Sequence, residues 1–348
     1  MLHGDGPIPA KVMVVGEAFG ERDEAAGLPF QGTSGVELNK LLSEADIMRT
    51  EVYLTNVVNA CPPNNDLSAW VAMKKKDITP SHVSLRDKWV LPCIRLGYDQ
   101  LLSEIKLVSP NLIIAVGGLA LWALTGKSGI LRWRGSQLRT DPFTGLGVNV
   151  IPTIHPAAVL REWSLRPIVA TDFKRAKRFI HKPVYDNIPN WQFTIRPSFE
   201  AVQSRLRSLT TALDYGELEW IDFDYETKQN NIDCIGLSWS ATEALCIPFM
   251  SATNKEGYWS LEEETMIVWL LYKLLTHKRV KVRGQNLLYD CQYSYRYWHF
   301  IPRVAQDTMI SQHVAFAGMR KALDFQASLY CDYYVQWKPD KEQWKEGG

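Results

Sequence analysis

Lys11-Val12-Met13-Val14-Val15-Gly16-Glu17-Ala18-Phe19-Gly20 runs an apolar strand straight into a glycine-rich loop. A short apolar run that ends in glycine, with a helical pattern beyond it, marks a strand–loop–helix unit. The unit then repeats. Val36, Leu38, Leu41, Leu42 and Ala45 predict a helix over 36–47, and Glu51–Val58 predicts a second strand. A helix is predicted over 98–107 and a strand over 111–116. After Gly117-Gly118 come a helix over 119–124, a strand over 148–154 and a basic helix over 168–180. Such alternation implies a mainly parallel sheet covered by helices, with any site at the carboxyl ends of its strands.

Outward from this half, residues 183–197 hold Lys182-Pro183, Ile188-Pro189 and Arg196-Pro197 at their joints and read as a linker. Beyond it the pattern changes. A polar helix over 198–213 precedes strands over 217–224, 232–239 and 243–249, which read as a meander. A helix over 261–276, a short strand over 279–283 and helices over 290–298 and 308–316 follow. The expectation is two unrelated α/β domains, 1–182 and 198–348.

Composition agrees. The 348 residues are 46% hydrophobic and 22% charged, which excludes a disordered or low-complexity chain. Lys plus Arg number 39 against 38 Asp plus Glu, so the chain is no polycation, although a basic groove on a neutral protein remains open. No apolar run reaches the ~18 residues of a membrane span, and residues 1–10 carry no secretory pattern. Six scattered cysteines read as reduced thiols, and the expected location is the cytoplasm.

In the second half, Asp222-Phe223-Asp224-Tyr225-Glu226-Thr227 closes a predicted strand. Asp224 and Glu226, two apart, share one strand face. Two like charges so close repel unless a cation lies between them. Asn286 and Asp290 are four apart where a strand gives way to a helix, and Asp307-Thr308 opens the next helix. Carboxylates converging from separate elements suit Mg²⁺ or Mn²⁺, and two such ions support phosphodiester cleavage. The stretches Asp224-Tyr225-Glu226-Thr227, Asn286-x₃-Asp290 and Asp307-Thr308-Met309 resemble the first motifs of DnaQ-like 3′–5′ proofreading exonucleases. With Lys321-Ala322-Leu323-Asp324-Phe325, they resemble the version attached to family A phage DNA polymerases. The resemblance implies a ribonuclease H-like mixed sheet. It also implies Asp224, Glu226 and Asp290 as catalytic metal ligands and Asn286 as a substrate contact. The family's third motif, Tyr-x₃-Asp, has no counterpart after Asp307, so a chain cut before the last ligand, with impaired nuclease activity, is expected. Tyr289, Tyr293, Tyr295, Tyr297 and Trp298 read as core packing or as stacking surfaces for single-stranded bases.

In the first half, acid, aromatic, amide and imidazole groups each follow a strand. They are Glu17 with Asp23, Phe30 in Gly27-Leu28-Pro29-Phe30-Gln31-Gly32, Asn56 in Tyr53-Leu54-Thr55-Asn56, and His155 in Ile154-His155-Pro156-Ala157. This set fits excision of a uracil flipped into a pocket. Phe30 stacks on the base and the Asn56 amide reads N3–H and O4. His155 donates to O2 of the leaving anion, and Glu17 or Asp23 positions water and stabilises the cationic sugar. The blocks resemble the uracil-DNA glycosylase superfamily, most closely its family 4, over about residues 11–180, including Arg134-Gly135. That resemblance implies a three-layer α/β fold, Glu17 and His155 in catalysis, and Gly16, Asp23, Phe30 and Asn56 around the substrate. Phe19 replaces the motif proline. Only Cys61 and Cys93 stand where family 4 has four cluster cysteines, so no iron–sulfur cluster is expected.

Together these imply the front part of a phage-type DNA polymerase, with DNA (a single-stranded 3′ end, or uracil-containing DNA) as substrate. Its partner is a polymerase domain downstream or a separate polymerase chain. The alternatives are an active uracil-DNA glycosylase with an inactive exonuclease fold, and a non-catalytic DNA-binding module. Lys174, Arg175, Lys177 and Arg178 are candidate backbone contacts, as are Lys74, Lys75 and Lys76.

Overall fold

The computed structural model describes residues 4–72, 74–254 and 257–338, in two units. Among the described residues the first unit comprises 4–188 and 327–338, and the second 189–326. The sequence reading carried the second domain to residue 348. In the structure the segment from Ala327 belongs with the first unit, and 339–348 lie outside the described residues.

The first unit is built on strands β1 (Val12–Ala18), β2 (Val52–Val58), β6 (Leu112–Val116), β7 (Leu138–Arg139) and β8 (Asn149–Thr153), in the order β2-β1-β6-β8-β7. All neighbours are parallel except β7, which runs antiparallel to β8. Alternate residues feed opposite faces. Met13, Val15, Ile113 and Ala115 pack under the helix Pro92–Val108, whereas Val12, Val14, Leu112 and Ile114 pack under the helices Thr33–Glu44 and Arg166–Lys177. Two cores on one sheet make a three-layer α/β fold, which is why Val12–Val15 of β1 and the whole of β6 are apolar. A small antiparallel sheet, β3 (Val71–Ala72), β4 (Val83–Leu85) and β5 (Lys88–Val90), fills a stretch in which the sequence showed no pattern.

A buried ion pair ties the first unit together. Arg134 holds both carboxylate oxygens of Asp172, its Nε donating at 2.8 Å, and its Nη1 donates to Ser328 Oγ at 2.6 Å. Thr153 Oγ1 adds a donor to Asp172 at 2.7 Å. Residues 327–338 are tied by main-chain contacts as well. Gln137 N–H donates to Tyr334 O at 2.8 Å, and Asn187 Nδ2 donates to Asp332 O at 2.9 Å.

The second unit has a six-stranded mixed sheet. Its strands are β9 (Gln192–Ile195), β10 (Trp220–Lys228), β11 (Asn231–Ser238), β12 (Glu243–Pro248), β13 (Lys281–Gly284) and β14 (Val304–Asp307), ordered β14-β13-β10-β11-β12-β9. β10, β11 and β12 form the expected antiparallel meander, and β13 and β14 run parallel to β10. This is the ribonuclease H-like mixed sheet of the sequence reading. β9 is a departure: residues read as linker pair in parallel with β12. The helices Phe199–Tyr215 and Leu261–Leu275 cover the face that carries Ile221, Phe223 and Tyr225.

Candidate active site

β1 and β2 run in parallel register with Gly16 beside Asn56. A Cβ on Gly16 would stand 2.1 Å from Asn56 Oδ1 and 2.8 Å from the Phe30 ring, so only glycine admits both side chains. Asn56 is 2% exposed, yet among the described residues neither Oδ1 nor Nδ2 has a hydrogen-bond partner. Buried polar groups are nearly always bonded, and an unmet one costs about 1–3 kcal/mol. A side-by-side donor and acceptor left unmet in a cavity wall is matched to a ligand with the complementary pair.

Phe30 reaches the same cavity from a strained loop. Its φ is 57°, in the left-handed region that bulky side chains avoid. The loop lies so close to the following helix that a Cβ on Gly35 would meet Phe30 O at 1.7 Å. The Phe30 and His155 rings lie 6.1 Å apart and 20° from parallel.

His155 ends the run from β8, just before Pro156 opens a short helix. Its Nδ1 accepts the Ala157 N–H at 3.1 Å, so the neutral ring carries its proton on Nε2. Burial pushes the imidazole below its ordinary value, against the pull of the Glu17 carboxylate. The side chain is therefore a neutral donor with its position set by the backbone.

Glu17 and Asp23 separate in role. Glu17 lies across the turn after β6, where Oε1 accepts the Leu119 N–H at 2.9 Å. A Cβ on Gly117, at φ +105°, would come within 2.4 Å of Glu17 Cδ. Asp23 uses both oxygens on its own loop, accepting Gly20 N–H at 3.1 Å and Gln31 N–H at 2.5 Å. Glu17, Asp23, Phe30, Asn56 and His155 line one cavity of ≈ 650 Å³. Arg22, Asp66 and Arg161 also line it and were given no role from sequence. Arg22 and Arg161 do stand within a few residues of the quoted stretches that end at Gly20 and Ala157.

Phe19, in place of the motif proline, is buried, and its N–H bonds Val58 O at 3.2 Å. Burial and the neighbouring carboxylates Glu24, Glu21 and Asp23 push the Cys61 thiol up, and burial does the same to Cys93. The basic helix is mostly committed elsewhere. Arg175 is buried and donates to Gly135 O and Cys331 O, Lys177 donates to Asp46 O, and Arg178 pairs with Asp332, while Lys174 is exposed. Lys74, Lys75 and Lys76 lie exposed around a short turn.

The second unit arranges its acids differently. Asp224 and Glu226 lie exposed on one face of β10, as their spacing predicts. A hollow of ≈ 370 Å³ lined by Asp222, Asp224, Arg283, Gln285 and Thr308 lies beside them. Asp290 is buried at 2% exposure and accepts the Tyr225 N–H at 2.8 Å. Burial, reinforced by the charges of Asp224 and Asp307, pushes its carboxyl up to about 6. Asp307 is absorbed by backbone, its oxygens accepting from Asn286, Leu287, Met309 and Ile310 N–H groups. It caps one helix and pins the start of another. Asn286 is exposed at φ 61° and ends the turn into the helix Leu287–Trp298. Among the described residues no three His, Cys, Asp or Glu side chains stand together as a metal site. Tyr289, Tyr293 and Tyr297 follow one another along one helix face, the last two stacked and the first tilted, whereas Trp298 packs against Tyr225, Phe249 and Phe300.

Residues 3–180 match the uracil DNA glycosylase superfamily. A type-4 uracil-DNA glycosylase of Thermotoga maritima is 34% identical over 186 residues, covering 52% of this chain and 84% of that protein. A DNA polymerase of Bacillus phage SP01 is 26% identical over 162 residues, 46% of this chain and 15% of that protein. Among solved structures, the catalytic core of RRP6 from Trypanosoma brucei aligns with a TM-score of 0.32 at 12% identity, over 43% of this chain and 37% of that one. No helix among the described residues is long and apolar enough to cross a membrane.

Proposed function

The chain belongs to the uracil DNA glycosylase superfamily, and on that premise we propose that its first unit releases uracil from DNA by hydrolysing the bond between base and sugar. The observation that carries this reading is the buried Asn56 amide with no partner on either polar atom. Uracil offers a donor at N3 and an acceptor at O4. Cytosine offers an acceptor at N3 and a donor at its exocyclic amine. One amide can be turned to satisfy either pattern, so discrimination requires that its orientation be held when the base is bound.

In this reading the target base leaves the stack and enters the ≈ 650 Å³ cavity against Phe30. As the bond from C1′ to N1 lengthens, negative charge gathers on the base and positive charge on the sugar. The Nε2–H of the neutral His155 donates to O2 of the departing anion. The Glu17 carboxylate, fixed by the Leu119 N–H, offsets the sugar's charge and orients the water that adds to C1′. Asp23 holds the loop that presents Phe30.

A second reading concerns the other unit, proposed as a 3′–5′ exonuclease that works with a DNA polymerase. It is supported by Asp224 and Glu226, two apart on the exposed face of β10. One experiment tests both. A 5′-labelled single strand with one internal uracil is incubated with the protein plus chelator and then treated with alkali, and in parallel with Mn²⁺. Cleavage at the uracil in the chelated lane is the expected result, and an intact strand there rejects the glycosylase reading. A ladder shrinking from the 3′ end only with Mn²⁺ supports the exonuclease, and its absence rejects that activity for this chain.

A further inference from the structure

The arginines of the first unit divide sharply. Among the described residues all but two of them donate to a carboxylate or a main-chain carbonyl. The exceptions are Arg22 and Arg161, which have no ion pair and no hydrogen bond among the described residues. Both are exposed, and both line the cavity that holds Asn56. Acids are not lacking there. Glu17, Asp23 and Asp66 line the same cavity, but each is held by N–H groups, of Leu119, of Gly20 and Gln31, and of Ser68. Glu21 lines it too and pairs with neither arginine.

Arg22 lies against Gly32, its Cδ 4.0 Å from the place a Cβ would take. Gly32 is the N-cap of the helix Thr33–Glu44 and offers that helix no side-chain acceptor. Its carbonyl takes the N–H groups of Gly35 and Val36, at 3.0 and 3.2 Å. The N–H groups of Thr33 and Ser34, two residues that also line the cavity, are left without an acceptor among the described residues. Arg161 closes the helix Pro156–Arg161, which begins beside His155 and packs on the helix Thr33–Glu44.

Resting on the reading that this cavity takes a uracil nucleotide, we propose that Arg22, Arg161 and the start of the helix Thr33–Glu44 form a subsite for one phosphodiester group next to the flipped nucleotide. A base cannot enter the cavity without drawing its sugar and the flanking phosphates to the mouth. Glu17, Glu21, Asp23 and Asp66 would repel those phosphates. Two uncommitted guanidiniums offset the repulsion, and each offers paired N–H groups to two phosphate oxygens. The uncapped helix start favours an anion as well. The buried Asn56 amide, unmet in the same cavity, is the independent sign that a ligand belongs there. Phosphate contacts carry no sequence information but fix register. Here they would hold the strand so that the sugar meets Glu17 and the base meets His155.

The test is equilibrium binding of the full chain to a short single strand with one central 2′-fluoro-2′-deoxyuridine, whose fluorine slows loss of the base. Binding is read by fluorescence anisotropy with chelator present. Arg161→Gln and Arg22→Gln are each expected to weaken binding about tenfold at low salt and to lower the slope of log affinity against log salt by about one. Arg161→Lys, which keeps the charge and loses the fork, is expected to keep the slope and part of the affinity. In two further strands a neutral methylphosphonate replaces the phosphate on one side of the fluorinated nucleotide or on the other. With one of these the parent is expected to lose about tenfold, and neither Gln variant to lose more than it already has. Losses that multiply on both strands overturn the subsite. So does a Gln variant with the parent's affinity and slope, or a parent that does not bind. Uracil release from an ordinary strand is read in parallel. A parent that binds with this coupling but releases no uracil rejects the glycosylase reading and leaves the subsite standing. A parent that releases uracil without the coupling rejects the subsite alone.

Discussion

Asn56 in the first unit and Asp290 in the second are each 2% exposed, and each belongs to the sheet end where its unit's candidate chemistry gathers. The amide is left without a partner, whereas the carboxylate is held by the Tyr225 N–H and pushed toward its neutral form. An unmet group surrounded by glycine clearances is a site waiting for a specific ligand. A bonded acid drawn in behind two exposed ones is a site whose parts have not come together. The two units thus differ in readiness, and mutations separate them.

The largest expected effect falls on the assembled site. On the proposed reading, Asn56→Ala takes away the amide that reads the base and His155→Ala the donor to the departing anion. Each is expected to lower the rate of uracil release about 10²–10³-fold, the loss typical of a preorganised donor. Asp224→Ala in the other unit is expected to leave that rate unchanged. Single-turnover assays on a uracil-containing strand with chelator present read all three. If Asp224→Ala reduces uracil release as strongly as Asn56→Ala, the two sites are not independent and the comparison fails.

The next effect concerns a buried carboxylate that is fully met. Asp172 sits between Arg134 and Thr153, and Arg134 in turn holds Ser328. Asp172→Ala would leave a buried guanidinium without its counter-charge, and is expected to destabilise the first unit by about 3–4 kcal/mol. Urea unfolding followed by a probe in that unit checks it. Ser328→Ala loses one hydrogen bond to the charged group, about 1–2 kcal/mol. A null result for Ser328→Ala would show that its hydrogen bond to Arg134 contributes no stability to the first unit.

Much of this was legible in the sequence because it is local. Lys11–Val15 and Asn111–Val116 are continuous apolar runs, as strands buried on both faces must be, and they appear as β1 and β6. The loop blocks after those strands named the cavity's main side chains, since the carboxyl ends of parallel strands converge. What failed to show was set by distance or brevity. The strands β3, β4 and β5 have two or three residues each, too few for any period to register. β9 lies between Pro189 and Pro197 with Trp191, Phe193 and Ile195 exposed, so it reads as linker until β12 supplies its partner. The return of Ala327 and its successors to the first unit rests on Arg134, Gln137 and Asn187, contacts 145–197 residues away that no local pattern announces. Asp224 and Glu226 share a face as their spacing required, but the inward withdrawal of Asp290 depends on the helix starting at Leu287 rather than at Asp290 itself.

The smallest expected effect is also the sharpest probe of the unassembled site. Burial first, then the charges of Asp224 and Asp307, raise the Asp290 carboxyl from 3.8 to about 6. The folded state therefore holds a proton that the unfolded state has released over the window from about pH 4 to about pH 6. Where the folded state binds more protons, stability falls as pH rises. The full benefit is present below the unfolded value and is lost as pH passes the folded one, so near pH 7 the ionised Asp290 is a burden. Asp290→Asn keeps an oxygen for the Tyr225 N–H and removes the charge. It is expected to stabilise the second unit by about 1–2 kcal/mol near pH 7, with the gain shrinking toward zero near pH 4. Denaturant melts at several pH values measure this directly. Adding Mn²⁺ sharpens the comparison further. If divalent cation stabilises the parent and not the variant, Asp290 moves out to meet Asp224 and Glu226 when the ion arrives, and the second site is assembled by its ligand where the first is built in advance. If the variant is less stable at every pH, the buried charge is already satisfied, and the contrast with Asn56 is one of chemistry and not of readiness.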